Sequence, residues 1–129
     1  MTSATRYLPV LGRILMCLIF VRGGYGKLSN PSGTIAYIAK GGLPLPAVAY
    51  IISVIIELGG GLALLVGFKT RFVAAVLAVF CVVTALAFHN DVADPGAMIN
   101  FMKNMTMAGG FLFVVAHGAG PLSLDSRGT

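Results

Sequence analysis

Residues 55–67 read IIELGGGLALLVG, an apolar run that holds one carboxylate, Glu57, and then three consecutive glycines. In water such a segment would make a poor core helix, because glycines weaken a helix and a lone buried charge is rarely kept. Surrounded by lipid, the same residues read differently. Small residues allow close helix approach, and an intramembrane carboxylate turns toward a protein interior or a wet cavity. The solvent around the helix therefore decides the fold.

Composition answers that question. Of 129 residues, 57% are hydrophobic and only 10% charged, with a mean hydropathy of +0.93. Soluble domains carry about 25% charged residues, so this chain could not cover its surface with polar groups. Four runs, 8–26, 45–67, 72–88 and 98–117, approach the roughly 17–25 residues that cross a hydrocarbon layer. They are continuous rather than alternating, which excludes barrel strands. The predicted fold is an all-α membrane protein, a four-helix transmembrane bundle in a single domain over residues 1–129. The first run lacks a small-x-small cleavage site and carries Arg22 near its far end, so it reads as a span rather than a signal peptide.

The net charge of +5 does not point to nucleic acid, since the cations form no run and have no interleaved aromatics. Arg6, Lys69, Arg71 and Arg127 flank one side of the four spans, and Lys27 and Lys40 the other, beside Asp91 and Asp94. The positive-inside rule then places both termini and the 67–71 turn in the cytoplasm. Arg13, Lys27, Lys69 and Arg71 are read as structural or topogenic. The clusters SNPSG and GGLPLP break the first connection, with room for a short interfacial helix around Tyr37–Ala39. GFKTR is so tight that the second and third helices must be antiparallel neighbours.

Helical spacing aligns Tyr50, Ser53, Glu57, Gly60 and Gly61 along one stripe of the second span. With Gly59, the glycines mark a face for close helix contact. The fourth span carries a matching stripe, Asn100, Lys103, Asn104 and Met107, with Lys103 about 8 Å beyond Met98. Arg22, His89 and Lys103 share the outer third, with Glu57 deeper. The expected partner of Glu57 is accordingly Lys103 or Arg22. The candidate polar cluster is Glu57, Lys103, Asn104, Arg22, His89 and Ser53. Arg13, a half-turn away from Arg22, is expected to snorkel to the cytoplasmic surface. No second histidine stands at ligand spacing from His89, so no metal site is predicted. Cys17 and Cys81 lie far apart without a C-x-x-C motif and read as small apolar packing residues.

The combination LGR at 11–13, GYGKL at 24–28, ELGGGLALLVGFKTR at 57–71, FHND at 88–91, FMKNMTMAGGFL at 101–112 and GPLSLD at 120–125 resembles the DoxX family of small bacterial membrane proteins. The motifs match in order and spacing over nearly the whole chain. The resemblance implies a four-helix protein of the bacterial inner membrane, with recurrent polar positions at Arg13, Lys27, Glu57, Arg71, His89, Lys103 and Asn104. It also implies an association with oxidoreductase chemistry, since the family name comes from a thiosulfate:quinone oxidoreductase and other members are linked to oxidative-stress complexes. The sequence departs from some relatives at Gly23, where those relatives carry a histidine.

No haem, flavin or iron–sulfur motif is present, so electron transfer by this chain would need a diffusible partner such as quinone. Three readings of function remain open at the level of sequence. The first is a redox-associated subunit that binds quinone or a similar lipid-soluble molecule, with Glu57, Lys103 and Asn104 at its polar head. The second is a non-catalytic anchor or assembly subunit for a membrane or soluble redox protein. The third is a small transporter acting as a homo-oligomer, because four helices leave little room for a pore in one protomer.

Overall fold

A computed structural model describes residues 2–127 of the chain. Helix α1 spans Ser3–Ser29, with Thr2 as its N-cap accepting from the Thr5 N–H. Asn30 closes α1 and opens α2, Pro31–Lys40, by accepting a hydrogen bond from the Gly33 N–H while proline takes the first helical position. The sequence SNP thus bends the chain with a single non-helical residue. Helix α3 runs over Pro46–Val66, α4 over Thr70–Phe88 and α5 over Pro95–His117. A last turn, α6, covers Leu124–Arg127.

Four of these, α1, α3, α4 and α5, are long and apolar enough to cross a membrane. At 1.5 Å per residue even α4, the shortest, reaches about 29 Å, close to the ~30 Å of a hydrocarbon core. Each helix outruns or trims its apolar run by a few residues, because caps rather than hydropathy set helix ends. All four described spans fit the membrane class expected from composition. Large apolar side chains such as Leu15, Leu18, Phe72 and Phe113 are exposed along them, as a surface that faces acyl chains should be.

Glycine sets the α1–α3 contact. A Cβ on Gly24 would lie 2.9–3.1 Å from Leu58, and one on Gly61 would lie 3.0–3.3 Å from Phe20 and Val21. Helices α4 and α5 form an antiparallel hairpin. The two pairs meet where the Phe20 and Phe111 rings pack 5.5 Å apart and tilted by 57°. Leu64, Leu77, Phe111 and Cys81 are fully buried around this point, with Cys17 close behind.

Helix α3 departs from the regular α-helix expected of its sequence. Residues Ile55–Gly59 form a single π-helical turn that contains Glu57. The extra residue in that turn rotates the rest of the helix, so the expected stripe does not run straight. Gly61 faces α1, Gly60 faces Leu77 of α4, and Gly59 has open space around it. Of the three glycines, Gly60 and Gly61 make helix contacts, and Gly59 makes none.

Candidate functional site

Two polar centres occupy opposite ends of the bundle. At the end that carries the termini, helix ends meet side chains of complementary charge. Arg13 is only 4% exposed. Its Nη1 donates to the carbonyls of Leu65 at 2.9 Å and Leu64 at 3.4 Å, the last turn of α3, and its Nη2 donates to the Leu122 carbonyl. Arg71 donates to the Val115 and Ala116 carbonyls at 2.9 and 2.7 Å, the last turn of α5. Asp125 accepts from the N–H groups of Lys69 at 2.7 Å and Thr70 at 2.8 Å, the start of α4. Guanidinium groups at C-termini and a carboxylate at an N-terminus are the arrangement the helix dipole favours. Desolvation pushes the Asp125 carboxyl up, but hydrogen bonds from Thr70 and Lys69 and the charge of Arg13 outweigh it and hold it below its ordinary value. Arg13 therefore does not snorkel to the surface: three carbonyls within its reach hold it inside.

The sharp turn beneath this clasp depends on Gly67, whose φ is +72°. It closes α3 with hydrogen bonds from Gly67 N–H to Leu64 and from Phe68 N–H to Ala63, the pattern of a Schellman cap. A Cβ there would stand 2.4 Å from Ser123 Cβ and 2.6 Å from Arg13 Nη1. The motifs LGR, GFKTR and GPLSLD, distant in sequence, are one structural unit.

The opposite end is built differently. A cavity of about 1080 Å³ lies between the helices, lined at its polar end by Lys27, Glu57, Ser53, Lys103, Asn104 and His89. Asn30, Thr34, Thr84 and Asn100 add hydroxyl and amide groups, and Ile52, Ile56, Phe80 and Val83 are among its apolar walls. Glu57 is 8% exposed, and Lys27 Nζ approaches its Oε2 at 2.7 Å. The partner of Glu57 is thus Lys27, and the expectation of Lys103 or Arg22 is corrected. Arg22 is exposed and does not line the cavity.

The reason is visible in α1. Gly23 and Lys27 are one helical turn apart and point to the same face. At Gly23 a Cβ would sit 3.0 Å from Glu57 Oε1, so the missing side chain makes room for the carboxylate and Lys27 reaches it from above. Tyr50 steadies the same end of α1 by donating its hydroxyl to the Lys27 carbonyl at 3.1 Å. The spacing of Gly23 and Lys27 carries this signal in the sequence, but a lysine so near a helix end reads equally well as a topogenic charge.

The remaining polar side chains of the cavity differ in their freedom. Ser53 donates back to the Tyr50 carbonyl at 2.8 Å. Asn104 donates to the Asn100 carbonyl at 3.0 Å and accepts from the Thr84 hydroxyl at 3.4 Å, which ties α5 to α4. His89 stands just past the end of α4, half-buried. Among the described residues no group of three His, Cys, Asp or Glu side chains could hold a metal ion. Cys17 and Cys81 are free thiols in the packed core, with Cys17 Sγ donating to the Ile14 carbonyl.

The geometry defines a class: a multi-pass helical membrane protein whose termini-bearing end is clasped shut and whose other end opens into a polar-tipped cavity. The DoxX family profile matches residues 8–90, and the chain belongs to that family. It is 40% identical over 119 residues to inner membrane protein YqjF of Escherichia coli, covering 90% of this chain and 88% of that one. It is 36% identical over 131 residues to inner membrane protein YphA of the same organism, covering 97% and 93% of the two chains. No solved structure matches it.

Proposed function

We propose that this protein is a redox-associated inner-membrane subunit that holds a quinone or similar lipid-soluble molecule in the polar-tipped cavity. The observation that carries the reading is the placement of the Lys27–Glu57 pair at the polar end of a large cavity whose remaining walls are mainly apolar. An ion pair used only for packing would be enclosed by helices on all sides, whereas this one borders a void. A carbonyl oxygen entering from lipid needs a donor there, since an unpaired polar group in an apolar medium is costly. The π turn that carries Glu57 adds support, because such turns are frequent at functional sites. The volume, about 1080 Å³, lies just above the ~300–1,000 Å³ usual for small-molecule sites. In this reading both termini are cytoplasmic and the cavity opens toward the outer half of the membrane.

The test is to purify the protein in a mild detergent and extract it with organic solvent. The extract is then assayed for quinones and other lipid-soluble molecules by mass spectrometry, and the protein is heated with ubiquinone and menaquinone analogues. A quinone or similar lipid-soluble molecule recovered in stoichiometric amount from the wild type and lost from Glu57→Gln is the expected result. A protein that carries no such molecule and gains no thermal stability from any analogue overturns the reading, and the bundle is then better described as an anchoring subunit. The clasp gives that second reading its own footing, since the family motifs at that end act on helix ends alone.

A further inference from the structure

The cavity wall is unevenly charged. Two lysines, Lys27 and Lys103, face it with one carboxylate, Glu57, and Lys27 is already engaged at 2.7 Å. Asp91 and Asp94 belong to the connection after α4 and do not line it. Among the described residues Lys103 has no hydrogen bond or ion pair. Its Cα lies eight residues into α5, about 12 Å from the helix start, too deep for a cation placed there only to mark the helix end. Lys103 is exposed where it borders the cavity, and an unpaired ammonium at the mouth of an apolar trough favours a ligand that brings the missing negative charge. His89, Asn100 and the second N–H of Asn104 stand on the same wall to complete its hydrogen bonds.

The rest of the cavity describes the rest of the ligand. Its lining follows α4 from His89 down to Phe72, seventeen residues or about 26 Å along the helix. Below the polar tip the α4 wall is Val83, Phe80, Val79, Val76, Ala75 and Phe72, without a polar side chain, and the exposure of Phe72, Val79 and Val83 makes it a groove open to lipid. A polar tip with one uncompensated cation and a long apolar trough fits an elongated amphiphile with an acidic head.

We infer that the natural ligand is a lipid-soluble organic anion, a free molecule with one acidic group at Lys103 and an apolar chain lying along α4, rather than a neutral quinone or a bilayer phospholipid. The inference rests on the cavity's being a small-molecule site, as proposed above, and narrows the class of molecule. Neutral ligands would leave Lys103 unpaired, and that unpaired charge is what selects against them.

The experiment measures binding of oleate, methyl oleate and decylubiquinone to the purified full-length protein by native mass spectrometry, with phosphatidylcholine nanodiscs as the host. Oleate is expected to bind at least tenfold more tightly than methyl oleate. Lys103→Gln should remove that preference, and Lys103→Arg should keep it. Equal binding of oleate and its methyl ester, or tight binding of decylubiquinone without oleate, overturns the inference and leaves the small-molecule reading standing. Failure of all three to bind removes both. Nanodiscs of phosphatidylglycerol supply the last arm: if they abolish oleate binding where phosphatidylcholine does not, the site takes a lipid head group and the commitment to a free anion is wrong.

Discussion

Breaking the Lys27–Glu57 pair from either side should have unequal consequences. At 2.7 Å the gross attraction is about 6 kcal/mol for an effective dielectric of about 20, most of it offset by the cost of desolvating both groups. Only the uncompensated remainder shows when one partner is removed. The side chain of Glu57 is 10% exposed and that of Lys27 28%, so the two orphans fare differently. Lys27→Met strands a carboxylate in mid-helix with Gly23 against it, and the expected loss is about 3 kcal/mol, the low end for a broken buried pair. Glu57→Gln leaves a flexible ammonium two residues from the end of α1, free to swing outward, and should lose only about 1 kcal/mol. The double variant should return to within about 1–2 kcal/mol of wild type, since an absent pair leaves nothing unpaired. Unfolding in mixed micelles of mild detergent and dodecyl sulfate measures all four proteins. A coupling energy of about 2–3 kcal/mol is expected. A coupling below about 0.5 kcal/mol, with Glu57→Gln as damaging as Lys27→Met, would refute the reasoning.

Two further outcomes concern the other end. Gly67→Ala must place a Cβ at 2.4 Å from Ser123 on a backbone with φ +72°; a loss of several kcal/mol is expected, and the same substitution at Gly59, which has open space, should change unfolding far less. Asp125 has a carboxyl held below its ordinary value when folded, so it binds fewer protons folded than unfolded. Its contribution is fully present above about pH 4 and lost as the pH falls through its lower folded value. Asp125→Asn should flatten that acid limb in a pH series of thermal unfolding.

The membrane class was legible because hydropathy is an additive property: four apolar runs at 10% charge have one physical explanation. The polar cluster was legible in part. Depth along each helix identified Glu57, Lys103, Asn104, His89 and Ser53, which all line the cavity. The pairing was not, for two reasons. A π turn changes the face on which later residues fall, and nothing in IIELGG distinguishes it from α-helix. Lys27 lies near a helix end, where a charge has an ordinary topogenic explanation, and only the facing glycine reveals that it points inward. Arg13 was misread for a related reason. Snorkelling assumes that water is the best available partner, whereas the last turn of α3 offers carbonyls at 2.9 and 3.4 Å.

The contrast between the ends bears on which residues carry function. At the clasp, guanidinium and carboxylate groups are spent on orphaned helix ends, and each hydrogen-bonds backbone of its own chain. Substitution there should act through stability, whatever the protein binds. Around the cavity the arrangement is reversed: Glu57 and Lys27 satisfy each other beside a void, and Lys103 has no protein partner among the described residues. Lys103 is exposed about 12 Å along its helix, where the interface, lipid or the proposed ligand can supply its partner. The clasp and the polar cavity residues are thus separated by the length of a helix, so substitutions at one should leave the geometry of the other unchanged.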